Sequence, residues 1–173
     1  LDYAILVISG ADGVQGHTIT LWKLLQRYNI PVFIFVNKMD QAGTDKKLLM
    51  ANLKANLSEH CIDFTDENLE EFNECIAMCD EELMNAYIEG IAPNEEDISY
   101  LINSRCIFPC YFGSALKQEG VDELCKGLIK YFLEREYPDE LAARVYKISR
   151  DDNGNRLSFI KVTGGTLNVK EVF

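Results

Sequence analysis

Two apolar runs with no polar residue at alternate positions constrain this chain most. Ala4-Ile5-Leu6-Val7-Ile8 and Val32-Phe33-Ile34-Phe35-Val36 are each five residues long, bounded by Ser9-Gly10 on one side and by Pro31 and Asn37 on the other. A strand with one wet face alternates, so an unbroken apolar run this short predicts a strand covered on both faces, as inside a parallel sheet. Between the runs lie a turn-rich stretch, Ser9 to Gly16, and a segment from about His17 to Tyr28 with Leu21, Leu24, Leu25 and Tyr28 at helical spacing. Strand, helix and strand over so few residues predict a right-handed crossover between parallel strands. A chain that opens at Leu1-Asp2-Tyr3, directly before such a strand, is expected to be an internal fragment of a longer protein.

The pattern continues. A helix is expected from about Thr44 to Ser58 with Thr44 or Asp45 as N-cap. Cys106-Ile107-Phe108-Pro109-Cys110-Tyr111-Phe112 reads as a third strand ending in Gly113-Ser114-Ala115, and Gly120 to Leu133 as an amphipathic helix through Val121, Leu124, Leu128, Ile129 and Phe132. Between Lys54 and Arg105 there are 14 Asp or Glu and no Lys or Arg. Within that acidic zone Leu69, Phe72, Ile76, Cys79, Leu83 and Tyr87 predict one apolar helical stripe, and Asn94-Glu95-Glu96-Asp97 predicts a further helix start. From Ala143 the period becomes two. Arg144 to Ser149 and Leu157 to Val162 alternate around Asp151-Asp152-Asn153-Gly154, which predicts a β-hairpin continued by Gly164-Gly165-Thr166-Leu167. A lone hairpin is marginal in water, so this one is expected to open a β-barrel.

Charge narrows the function. The net charge of -11 is uneven, residues 1–140 carrying -14 and 141–173 carrying +3. Gripping a phosphate backbone needs clustered Lys and Arg, so no direct nucleic-acid site is expected here. No apolar run approaches the roughly 18–20 residues of a membrane span, and no basic-then-apolar leader opens the chain, so a cytoplasmic protein is expected. The six cysteines at 61, 75, 79, 106, 110 and 125 are read as reduced thiols, since the chain is long enough to build its own core. Neither their spacing nor His17 and His60 suits zinc, and no metal site is expected.

The chemistry sits at Asn37-Lys38-Met39-Asp40, at the carboxyl end of a buried strand, the edge where open parallel sheets bind ligands. A carboxylate at Asp40 can accept from guanine N1 and N2, whereas adenine lacks the amine and presents an acceptor at N1. Leaving a polar site mispaired in this way can discriminate by about 10⁴–10⁵. Lys38 would lay its methylenes on the ring and keep its ammonium wet. Asn37 can offer its amide to guanine N7 or tie neighbouring loops together. Gly113-Ser114-Ala115 follows another strand, and an N–H near Ala115 could donate to guanine O6.

These two motifs, with Ala4 to Gln15 and the hairpin Leu157 to Val162, resemble the translation-factor GTPases related to elongation factor G. The stretch Cys106 to Ala115 and the hairpin are most similar to the ribosomal-protection tetracycline-resistance branch. The resemblance implies an α/β fold: a partial P-loop GTPase domain, a parallel sheet with helices, carrying a short acidic helical insertion and followed by the start of a β-barrel domain. Residues 1–140 would be the C-terminal part of the GTP-binding domain, with the insertion at about 59–104, and 141–173 the first barrel strands. It also implies GTP or GDP as ligand, with Asn37, Lys38 and Asp40 as the guanine-specificity motif and Ser114, Ala115 and Leu116 as the second base-contacting loop. No Gly-x-x-x-x-Gly-Lys-Ser/Thr is present, so catalytic residues and Mg²⁺ ligands are expected upstream, in the parent protein only. His17 is out of register with the family's catalytic histidine, and Gly10-Ala11-Asp12-Gly13 lacks the lysine of a phosphate loop; both are read as ordinary turn and helix-start residues.

The parent is accordingly expected to be a ribosome-dependent GTPase, with tetracycline-resistance protein, elongation factor G and peptide chain release factor 3 as the branches. The fragment alone is expected to be inactive. The acidic segment is either a solvated face or a docking surface, the ribosomal stalk protein being the partner the resemblance suggests. A nucleotide-independent ribosome- or stalk-binding module is the rival of a different class.

Overall fold

Val32 to Val36 are 0–4% exposed in the computed structural model, which describes residues 1–65, 70–134 and 136–170. This strand organises the first of two compact units, Leu1–Leu133 and Glu134–Phe173. In chain order the first unit has β1 (Ala4–Ser9), α1 (Gly16–Arg27), β2 (Val32–Asn37), α2 (Lys46–Asn56), β3 (Cys61–Asp63), α3 (Glu70–Ala77), α4 (Glu81–Ile88), α5 (Glu95–Asn103), β4 (Phe108–Phe112) and α6 (Val121–Tyr131). All four strands are parallel in the order β1-β2-β4-β3, with Leu6 opposite Ile34, Ile34 opposite Cys110 and Cys61 opposite Phe108.

Alternation along the buried strands feeds two apolar layers. Phe33, Phe35 and Tyr111 pack with Ile76 of α3, Leu101 and Ile102 of α5 and Tyr131 of α6. Ile34, Val36, Cys110 and Phe112 face the other way, onto Trp22 of α1 and Leu49 and Leu53 of α2. The result is a helix–sheet–helix sandwich, in which a fully buried large side chain contributes about 1.5–3 kcal/mol.

Four expectations change. β1 is an edge strand covered on one face only: Leu6 and Ile8 are buried, whereas Ile5 and Val7 are 47% and 59% exposed. On α1 the anchor is Trp22, edge-on to Phe108 with ring centroids 4.6 Å apart, and Leu21, Leu24 and Tyr28 face solvent, so only Leu25 of the expected stripe packs inward. On α6 the inward stripe runs through Val121, Leu124, Leu128 and Tyr131; Ile129 is exposed and Phe132 half-exposed. Both stripes are displaced because the helix rotates to bury its largest ring. The acidic stripe is split into α3 and α4 at Asp80, whose carboxylate accepts from the backbone N–H groups of Glu82 and Leu83 and caps α4. Leu69 lies outside the described residues. The acidic zone also holds β3, three residues long and too short to show a period in the sequence.

In the second unit β5 (Ala142–Arg150) and β6 (Arg156–Gly164) form an antiparallel hairpin. Asp151 closes it, its carboxylate accepting from the Asn153 and Asn155 amides at 3.0 and 2.8 Å, with Gly154 supplying φ +82°. Val145, Ile148 and Leu157 stay exposed. The six cysteines are free thiols.

Candidate functional site

β2 and β4 are neighbours, with Val36 opposite Phe112, so the loops that follow them leave the same sheet edge side by side. Backbone bonds carry the pairing past the strands: Gly113 N–H donates to Val36 O and Met39 N–H to Gly113 O, both at 3.0 Å. Gly113 can take this path because a Cβ there would collide with the carbonyl oxygen of Glu119.

Asn37 joins the two motifs. Its side-chain oxygen accepts from the backbone N–H of Lys38 at 2.8 Å and from that of Ala115 at 2.9 Å, across 78 residues of sequence. Only the oxygen can accept both, which leaves the Asn37 NH₂ without a partner among the described residues. The first of these bonds also holds Lys38 at φ +65°, a left-handed conformation that a lysine enters at a cost of roughly 1–2 kcal/mol. Thr44 closes the turn, its hydroxyl donating to Met39 O or Gln41 O at 2.8 and 2.9 Å, while Asp45 caps α2 by accepting from Leu48 N–H.

Asp40 faces the second loop. The buried Ser114 hydroxyl donates to its carboxylate, which with Lys117 nearby holds the carboxyl below its ordinary pKa. Lys117 Nζ lies 3.5 Å from Asp40 Oδ2. The second loop is tied off by Ser114 N–H donating to Glu119 O at 2.9 Å and Glu119 N–H to Ser114 O at 3.1 Å. Leu116 stands at its tip, 93% exposed. Asn37, Lys38, Asp40, Ser114 and Ala115 are thus gathered around one edge with Leu116 at the rim.

Two residues of this edge go beyond the sequence reading. Lys117 gives only the signal of a cation three residues past Ser114, and Thr44 reads there as nothing more than a helix cap. A separate groove of about 580 Å³ between α2, β3 and α3, lined among others by Lys46, Met50, Ile62 and Phe72, includes none of the six predicted residues. His17 lies in the first turn of α1, as its register suggests.

Residues 1–134 match the family model of the elongation factor Tu GTP binding domain. The chain belongs to that family. Among curated relatives of this elongation factor Tu-type domain, the tetracycline resistance protein TetO of Streptococcus pneumoniae is 29% identical over 99% of the chain. TetS of Listeria monocytogenes is 31% identical and TetM of Ureaplasma urealyticum 30%, each again over 99% of the chain. The chain spans 29–30% of the length of these relatives. The crystal structure of ttk003000868 from Thermus thermophilus shares the fold, with a TM-score of 0.80 at 19% identity, over 95% of this chain and 32% of that one. The elongation factor Tu-type assignment accounts for the parallel sheet with helices on both faces, and the antiparallel hairpin is consistent with the start of a β domain.

Among the described residues no helix is long and apolar enough to cross a membrane. Among the same residues no three His, Cys, Asp or Glu side chains gather as a metal site.

Proposed function

We propose that this chain reads the guanine base of GTP or GDP within a translational GTPase. The observation that carries the reading is the Asn37 side chain bonded to the Ala115 amide, which makes two distant motifs one surface. Around it, Asp40, its pKa lowered by the Ser114 hydroxyl, offers carboxylate acceptors to guanine N1–H and N2–H. The Asn37 NH₂ is left to donate to N7, so the two roles open to Asn37 in the sequence are filled by its two ends. Lys38, exposed on the same turn, covers the ring face. O6 falls to the Ala115–Leu116 amides, Ala115's being shared with Asn37.

The proposed domain division is residues 1–140 as the C-terminal part of the GTP-binding domain and 141–173 as the opening strands of a β-barrel. For the parent we propose a cytoplasmic, ribosome-dependent GTP hydrolase of the tetracycline-resistance branch, with elongation factor G and release factor 3 types as the alternatives. The support is the relatives' names and their 29–31% identity along the chain. This sequence lacks the Gly-x-x-x-x-Gly-Lys-Ser/Thr phosphate loop, so its residues select the base and do not cut the phosphate. The isolated chain is expected to show no GTP hydrolysis.

Titration with fluorescent mant-GDP and mant-ADP tests the reading: guanine preference that disappears in Asp40→Asn supports it, and equal binding of the two nucleotides refutes it. A second surface is favoured by Glu70, Glu71, Glu74, Glu81 and Glu82, all exposed on α3 and α4, and is proposed to dock the ribosomal stalk protein. Stalk-protein pulldown that survives neutralising all five removes that part.

A further inference from the structure

Asp40 is approached from two sides. From within the fold comes Ser114, 1% exposed, whose hydroxyl helps to hold the Asp40 carboxyl below its ordinary pKa. From the solvent side comes Lys117, whose side chain is 52% exposed against 22% for Asp40. The tied loop fixes where Lys117 starts: its own N–H donates to Ser114 O at 3.1 Å, inside the ring closed by Ser114 and Glu119. The same loop that presents the inner hydroxyl therefore presents the outer ammonium.

A base reaching Asp40 enters from solvent, the side on which Lys117 stands. It therefore meets the ammonium first. Both are N–H donors to an ionised carboxylate, and so both compete for the same oxygens. We propose that Lys117 is a place-holder for the base, occupying the solvent side of Asp40 until a base with paired N–H donors displaces it. This rests on the guanine reading of the site. Guanine restores what the carboxylate loses when the ion pair opens. Adenine, with an acceptor at N1 and no amine at C2, does not. Lys117 thus lowers guanine affinity, because guanine must open the ion pair before its donors reach the carboxylate.

The test uses the whole 173-residue chain and the neutral nucleosides guanosine and adenosine, so that phosphate charge plays no part. Binding is followed by the backbone amide shifts of Ser114 and Lys117. Lys117→Met, which removes a half-exposed charge and leaves the loop's backbone bonds in place, is expected to tighten guanosine about 1.5- to 5-fold, the range for an exposed ion pair. In 1 M salt, where screening acts over about 3 Å, the difference from wild type should shrink, and Lys117→Arg should behave as wild type. Guanosine binding that is unchanged or weaker in Lys117→Met at low salt overturns the place-holder. The reading beneath it fails separately: if the wild type shows no guanosine-dependent shift, or if Asp40→Asn keeps the guanosine preference, the site itself is wrongly assigned.

Discussion

Replacing Asn37 separates its two ends. Asn37→Ala removes one oxygen that serves two backbone donors, Lys38 N–H at 2.8 Å and Ala115 N–H at 2.9 Å. At about 0.5–1.5 kcal/mol net for each bond, the loss is about 1–3 kcal/mol. For a chain of this size that lowers the melting temperature by roughly 2–12 °C. Amide exchange at Ala115 reads one bond alone and should quicken about 2- to 13-fold in the variant, the same energy range expressed as a rate. Asn37→Asp keeps an oxygen at the same position but gives up the NH₂. Its Ala115 exchange and melting temperature should stay near wild type while mant-GDP binding falls as far as in the alanine variant. Two results refute this reasoning. Unchanged Ala115 exchange in Asn37→Ala shows that the inter-loop bond does not hold the loop, and full mant-GDP affinity in Asn37→Asp shows that the NH₂ does not meet the base.

Further outcomes follow from the geometry. Because the Ser114 hydroxyl and Lys117 lower the folded-state pKa of Asp40, its contribution to stability and to base binding is fully present above the unfolded value of about 3.9 and is lost as pH falls through the lowered value. Ser114→Ala should raise the Asp40 titration midpoint, followed by carboxyl ¹³C NMR; an unmoved midpoint contradicts the bond. Gly113→Ala places a Cβ against the Glu119 carbonyl and should cost about 1–3 kcal/mol in urea unfolding, with loss of mant-GDP binding. Trp22→Ala should cost about 3–5 kcal/mol, whereas Leu24→Ala, on the exposed face of the same helix, should stay within about 0.5 kcal/mol; equal losses would restore the stripe read from the sequence.

The elements that carry the site were legible because their signals are local. Val32 to Val36 is apolar without a break, and Asn37 to Asp40 follows it directly, so strand and motif could be placed together. The bond from Asn37 to Ala115 was open as one of two roles, since sequence spacing alone does not say which end of an amide faces which loop. Facing was hardest to read. Leu21, Leu24 and Tyr28 share a helical stripe as good as that of Trp22 and Leu25, and what decides between them is Phe108, far along the chain. β1 resembles β2 in composition, yet it lies at an edge, a position set by the whole sheet order. β3 has only three residues and pairs with β4 through register, so no period could announce it. Lys117 was invisible as a site residue because its reach to Asp40 depends on the Ser114–Glu119 closure.

The most direct test exchanges one atom of the protein against one atom of the base. Xanthine carries a carbonyl at C2 where guanine carries an amine, so Asp40→Asn should weaken mant-GDP and strengthen mant-XDP in one titration series. A reversal of preference from guanine to xanthine is the predicted result. An Asp40→Asn chain that still prefers guanine contradicts the assignment of Asp40 to the base.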